Sequence, residues 1–143
     1  MKKRALLVLF FISVFGLGAL AQSESELLDI CTKMSKGATY LKDYKIKLDA
    51  GNPPPRSRTS VLLRKSTKYR FTICGSKDLP GEPVFKLYDN NKMVATNFQA
   101  STGVERRVID FKCHRTGPYH ILMEFKEGKP GLAVVVISLV EKF

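Results

Sequence analysis

Apolar and polar residues alternate along most of the chain from residue 40 onward, the period of a half-buried strand. Tyr44, Ile46 and Leu48 alternate with Lys45 and Lys47. Tyr69, Phe71 and Ile73 alternate with Arg70 and Thr72. Ile109 and Phe111 flank Asp110, and Tyr119, Ile121, Met123 and Phe125 recur at every second position. Strands are predicted over residues 40–49, 59–63, 69–74, 83–88, 93–97, 107–113, 119–125 and 132–140. Residues 59–63 can return as the hairpin partner of 69–74 or sit across the sandwich from it. Residues 132–137 are apolar on both faces, so that strand should be central and covered on both sides. Its expected neighbour is 119–125, across the Gly128-Lys129-Pro130-Gly131 turn.

Seven or eight short strands with turn residues between them predict an all-β fold, an antiparallel β-sandwich of jelly-roll type. Asp89, Asn90, Asn91 and Lys92 make a tight turn of residues that tolerate positive φ. Residues 50–57 hold Pro53, Pro54 and Pro55, which favour a stiff surface loop. The predicted core is Tyr44, Ile46, Leu48, Val61, Leu63, Phe71, Ile73, Phe85, Leu87, Ile109, Phe111, Ile121, Met123, Phe125, Val134 and Val136.

Only residues 22–38 show a helical period. Leu27, Ile30, Cys31 and Met34 form one apolar stripe. Ser23 with Glu26 has capping-box spacing, and Gly37 fits the stop. Such a helix should pack over an open end or face of the sandwich. Upstream, Met1-Lys2-Lys3-Arg4 precedes an apolar run and an Ala19-Leu20-Ala21 cleavage pattern followed by Gln22. Residues 1–21 therefore read as a signal peptide, 22–38 as a helix and 39–143 as the sandwich domain. The expected location is exported, periplasmic or secreted. Nothing later in the chain reads as a transmembrane segment.

Export changes how charge and cysteine are read. The whole chain carries +11, and losing Lys2, Lys3 and Arg4 leaves 21 basic against 13 acidic residues, a net of +8. A basic surface favours anionic partners such as an acidic glycan or an envelope protein. The bases are spread along alternating strands, where lysines also keep sheet edges from pairing. No nucleic-acid motif is present, so nucleic acid is not an expected partner. Cys31, Cys74 and Cys113 remain after cleavage, enough for one bridge in an oxidising compartment. Strand parity points Cys74 and Cys113 to opposite faces unless Gly75 bends the strand. Cys74–Cys113 is the first choice, Cys31–Cys74 the second, and three free thiols the third.

Catalytic signals are weak. His114 lies in a turn and His120 on the polar side of a strand, and neither sits in a nucleophile or metal motif. Asp89, Asn90 and Asn91 with Asn97 are oxygen-rich and can be read as a Ca²⁺ site, but a tight turn calls for the same residues. No other cofactor is indicated. The segments left for ligand contact are 77–82, 89–92 and 98–107, with Lys77, Asp78, Asp89, Asn90, Asn91, Lys92, Arg106 and Arg107 as the candidate residues.

Several of these runs together resemble the bacterial pre-peptidase C-terminal (PPC-like) domain. They are Tyr69-Arg70-Phe71, Leu87-Tyr88-Asp89-Asn90-Asn91, Ala95-Thr96-Asn97, Phe111 and Thr116-Gly117-Pro118-Tyr119-His120-Ile121. The chain is also similar to small secreted proteins of Bacteroidota that share the Tyr69-Arg70-Phe71-Thr72-Ile73-Cys74 segment. The PPC-like resemblance implies a β-sandwich accessory module without an active site. This sequence departs from that pattern in two ways: no peptidase is expected to accompany it, and it lacks the acidic loops associated with calcium. The expected function is a non-catalytic exported binding or structural module. A subunit of a secretion or surface assembly and a small secreted hydrolase are the alternatives.

Overall fold

This computed structural model describes residues 19–143, with side chains from residue 24. Most of the expected leader, residues 1–18, lies outside the described residues. A helix, α1 (Ala19–Met34), leads into β1 (Thr39–Leu48). There follow β2 (Ser57–Leu63), β3 (Thr67–Gly75), β4 (Pro83–Asp89) and β5 (Lys92–Thr96). Two short strands come next, β6 (Phe98–Gln99) and β7 (Val104–Glu105). The chain closes with β8 (Val108–Cys113), β9 (Gly117–Phe125) and β10 (Gly131–Lys142).

One sheet has the order β1-β10-β3-β8 and the other β2-β9-β4-β5, with β6 and β7 as a separate hairpin. The pairings within these sheets are antiparallel. The main strands change sheet at every connection except the β4–β5 hairpin, which is the winding of a jelly roll. Asn90 takes φ 56° in that hairpin turn, as the sequence suggests. The expected pairing of β9 with β10 does not occur. β9 lies between β2 and β4, so neither of its edges is open to β10. The connecting turn crosses between the sheets instead. Glu127 and Gly128 take φ 60° and 64°, and Gly51 N–H bonds the Gly128 carbonyl at 3.0 Å. β2 sits across the sandwich from β3, one of the two expected arrangements.

The inward residues of both sheets form the main core, with the Phe71 and Phe85 rings 5.1 Å apart. A second cluster lies on the opposite face of the β1-β10-β3-β8 sheet. There α1 brings Leu27 and Cys31 onto Cys74, Leu132, Val134 and Val136. This explains β10: it is central, and both of its faces are covered. Each residue of the predicted core lies in one of these two clusters or, for Tyr44, Leu48, Val61, Ile109 and Phe111, packs half-buried against the first.

The helix differs from expectation in two ways. It includes Ser23, which therefore does not cap it. Ile30 is 54% exposed and sits beside the buried stripe rather than within it. After Met34 the chain turns out through Gly37 at φ 89°.

The bridge is Cys31–Cys74, with Cα atoms 5.7 Å apart, and not Cys74–Cys113. Parity is the reason. Cys74 points outward beneath α1, whereas Cys113 points into the main core, where it is a free, buried thiol. Gly75 does not bend the strand enough to bring them to one face.

Candidate functional site

At one end of the sandwich α1, the β3–β4 loop and the β6–β7 hairpin enclose an open cleft of about 630 Å³. Each wall is fixed by a different interaction. The helix wall is tied to β3 by Cys31–Cys74, and Met34 Sδ lies 3.8 Å from Cys74 Sγ. The hairpin wall hangs on Asn97, a buried amide just after β5. Its Oδ1 accepts from Phe85 N–H at 2.7 Å, and its Nδ2 donates to the Pro83 carbonyl at 3.0 Å. Its own carbonyl accepts from Arg106 N–H at 2.7 Å, and Ile73 N–H donates to the Arg107 carbonyl at 2.8 Å. The backbone of both arginines is thus anchored to the two sheets while their side chains stay exposed.

Lys126 completes the hairpin wall. Its Nζ lies 3.0 Å from Glu82 Oε2, pairs with Glu105 and sits 3.9 Å from the centre of the Phe98 ring. Both carboxylates are therefore engaged by one ammonium. Among the described residues Lys77, Arg106 and Arg107 make no ion pair, so they supply free positive charge at the rim. Glu26, on the helix side, makes no ion pair among the described residues. The apolar lining includes Leu27, Ile30, Met34, Leu79 and Pro83, and among the described residues none that lines the cleft is aromatic.

Of the candidate contact residues, Lys77, Asp78, Arg106 and Arg107 come together here. Asp89, Asn90, Asn91 and Lys92 do not. They form the β4–β5 turn at the far end of that hairpin from Asn97. Asp89 is bonded through both oxygens to Arg115, whose hydrogen bonds hold its carboxyl below the usual carboxylate range. Asn97 is in turn spent on backbone groups. The four oxygen-bearing residues read from the sequence as a Ca²⁺ site are therefore not assembled into one.

Asn90 and Asn91 border a smaller hollow of about 260 Å³ with Arg58, Tyr88, His120 and Leu122 on the outer face of the β2-β9-β4-β5 sheet. Ser60 and His120 face each other there across β2 and β9, with Oγ 3.0 Å from Nδ1. Among the described residues no carboxylate bonds the other ring nitrogen. Seen from the sequence, neither this pair nor the grouping of Met34, Glu82, Glu105 and Lys126 carries a motif. Cross-strand register makes the first and the jelly-roll connections make the second.

No family model matches the chain, and no curated protein matches it. Among the described residues no helix is long and apolar enough to cross a membrane.

Proposed function

We propose that this protein is a non-catalytic, exported β-sandwich module that binds a partner in the bacterial envelope or outside the cell, using the cleft beside Cys31–Cys74. The observation that carries this reading is the separate fixing of the two cleft walls. A disulfide holds the helix, and Asn97 and Lys126 hold the hairpin. A site held open before its partner arrives loses less entropy on binding. The disulfide fits an oxidising compartment, as does the leader pattern at residues 1–21. The resemblance to PPC-like accessory domains is in keeping with a module that binds rather than reacts.

The Ser60–His120 pair does not make a hydrolase the better reading. It lies on an open sheet face, and among the described residues no carboxylate orients the ring. A subunit of a secretion or surface assembly would need a broad apolar face for its partner to cover. The largest exposed apolar residues of the second sheet, Leu62 at 66% and Met93 at 46%, sit on its opposite edges and form no such face.

The test is affinity capture by the tagged mature chain from envelope and culture fluid, followed by mass spectrometry and a glycan array. Ile30→Arg serves as the cleft-blocking control, since Ile30 is already exposed. A partner recovered by the wild type and lost by Ile30→Arg is expected. Equal recovery by both would remove the cleft from the function.

A further inference from the structure

The cleft has chemistry enough to say what fills it. We infer that its occupant is an extended polypeptide segment carrying apolar anchor side chains and at least one carboxylate. This rests on the reading of the cleft as the binding site.

The floor argues for peptide over sugar. Sugar rings bind by laying their C–H faces on aromatic rings; among the described residues none of those lining this cleft is aromatic, and Phe98 of the hairpin lies under the Lys126 ammonium. The lining is aliphatic and thioether, with Ile30 and Met34 on one wall and Leu79 on the other. Surfaces of this kind take up Leu-like and Val-like side chains, and methionine adapts to their shape.

The rim sets the charge. Glu82 and Glu105 are both engaged by Lys126. Arg106 and Arg107 stand side by side on a backbone held by Asn97 and Ile73, with Lys77 on the facing loop. None of the three has an ion-pair partner among the described residues. A guanidinium carried on a fixed backbone matches a carboxylate through paired hydrogen bonds better than a mobile ammonium does. Of the rim acids not held by Lys126, Glu26 lies on the helix side and Asp78 on the loop beside Lys77, so neither is on the hairpin that carries the two arginines. The carboxylate of the segment must therefore face the hairpin, away from α1, which gives the segment one direction of entry.

Fluorescein-labelled peptides of alternating Leu and Glu, Leu and Ser, Ser and Glu, or Leu and Lys provide the probes, read by anisotropy. The Leu–Glu peptide should bind best, and its affinity should fall as salt is raised. Arg106→Ala with Arg107→Ala should weaken it by about tenfold or more. Glu26→Lys should tighten it, a gain that misfolding cannot imitate. Equal binding of the Leu–Ser or Leu–Lys peptide, no binding of any peptide, or stronger binding to phosphatidylglycerol vesicles or alginate would overturn the inference. If envelope capture still depends on the cleft while these peptides fail, only the identity of the occupant is wrong. If capture is unaffected by Ile30→Arg, the cleft reading itself has failed.

Discussion

Arg70 and Asp110 face each other across β3 and β8 and join through two hydrogen bonds, Nε to Oδ1 at 2.7 Å and a terminal guanidinium nitrogen to Oδ2 at 3.1 Å. The same guanidinium reaches the Lys36 carbonyl, at 3.4 Å, where the chain leaves α1. One pair thus joins an edge strand, an inner strand and the helix exit. The hydrogen bonds from Arg70 hold the Asp110 carboxyl below its usual range. A carboxyl depressed on folding adds stability above its unfolded pKa and loses it as pH falls through the folded one. Asp110→Asn should cost about 1 kcal/mol at neutral pH. The gap from wild type should close below about pH 4, where the unfolded carboxyl begins to protonate. Urea unfolding at neutral and acid pH measures both. An unchanged gap at low pH would assign the loss to packing instead.

The Cys31–Cys74 bridge spans 43 residues and fastens α1 to the sheet. Chain-entropy arithmetic for a loop of that length gives about 3–4 kcal/mol. Cys31→Ala with Cys74→Ala should lose most of that and leave α1 the first element to exchange its amide protons. The thiol count follows from the same geometry. Iodoacetamide should add nothing to the native protein, because Cys113 is buried. It should add one group after unfolding without reductant and three after reduction. Two-step uptake in any other ratio would contradict the bridge.

Alternation was sufficient to place the main strands, because a period of two reports one buried face whatever the sheet order. It also singled out β10, whose apolar run has no polar face. Pairing was less legible. The short Gly128-Lys129-Pro130-Gly131 connection resembles a hairpin, but nothing local in it reveals that β9 is already flanked by β2 and β4. Cys113 illustrates the same limit. Its parity was readable, whereas the partner that covers Cys74 lies 43 residues away on a helix. Half of the candidate contact residues, Lys77, Asp78, Arg106 and Arg107, reached the cleft because the loop and hairpin that carry them meet at one end. Asp89, Asn90, Asn91 and Lys92 suit a turn and serve as one.

Tyr119 donates its hydroxyl to the Arg115 carbonyl four residues upstream, at 2.8 Å, and so ties the β8–β9 turn to the core. Cys113 Sγ lies 3.4 Å from the Tyr119 hydroxyl oxygen and 3.2 Å from the Arg115 carbonyl. Burial, with the Cys113 contact second, pushes the phenol up to about 12. A pKa raised on folding stabilises the protein fully below the unfolded value, near 10, and the contribution is lost as pH climbs to about 12. Tyr119→Phe should cost about 1–2 kcal/mol at neutral pH, because the Arg115 carbonyl keeps only the weaker Cys113 thiol as donor. It should also flatten the alkaline loss of stability between those two values. Thermal melts of both proteins across that range read the difference, and parallel curves would exclude the hydroxyl as its source.

Asn97 is the residue on which fold and site depend together. Its side chain is the partner of Phe85 N–H and the Pro83 carbonyl, and its backbone carbonyl holds Arg106. Asn97→Ala leaves the first two groups without side-chain partners, a loss of about 2–3 kcal/mol for buried positions. Asn97→Asp restores the acceptor for Phe85 N–H but not the donor for Pro83, so it should recover only part of that loss. Because the hairpin begins at Phe98, directly after Asn97, both variants should also weaken binding at the cleft by more than their stability loss explains. Peptide anisotropy at a temperature where each variant remains fully folded separates the two effects. Undiminished affinity in folded Asn97→Ala would mean that Arg106 and Arg107 do not depend on this anchor for their position.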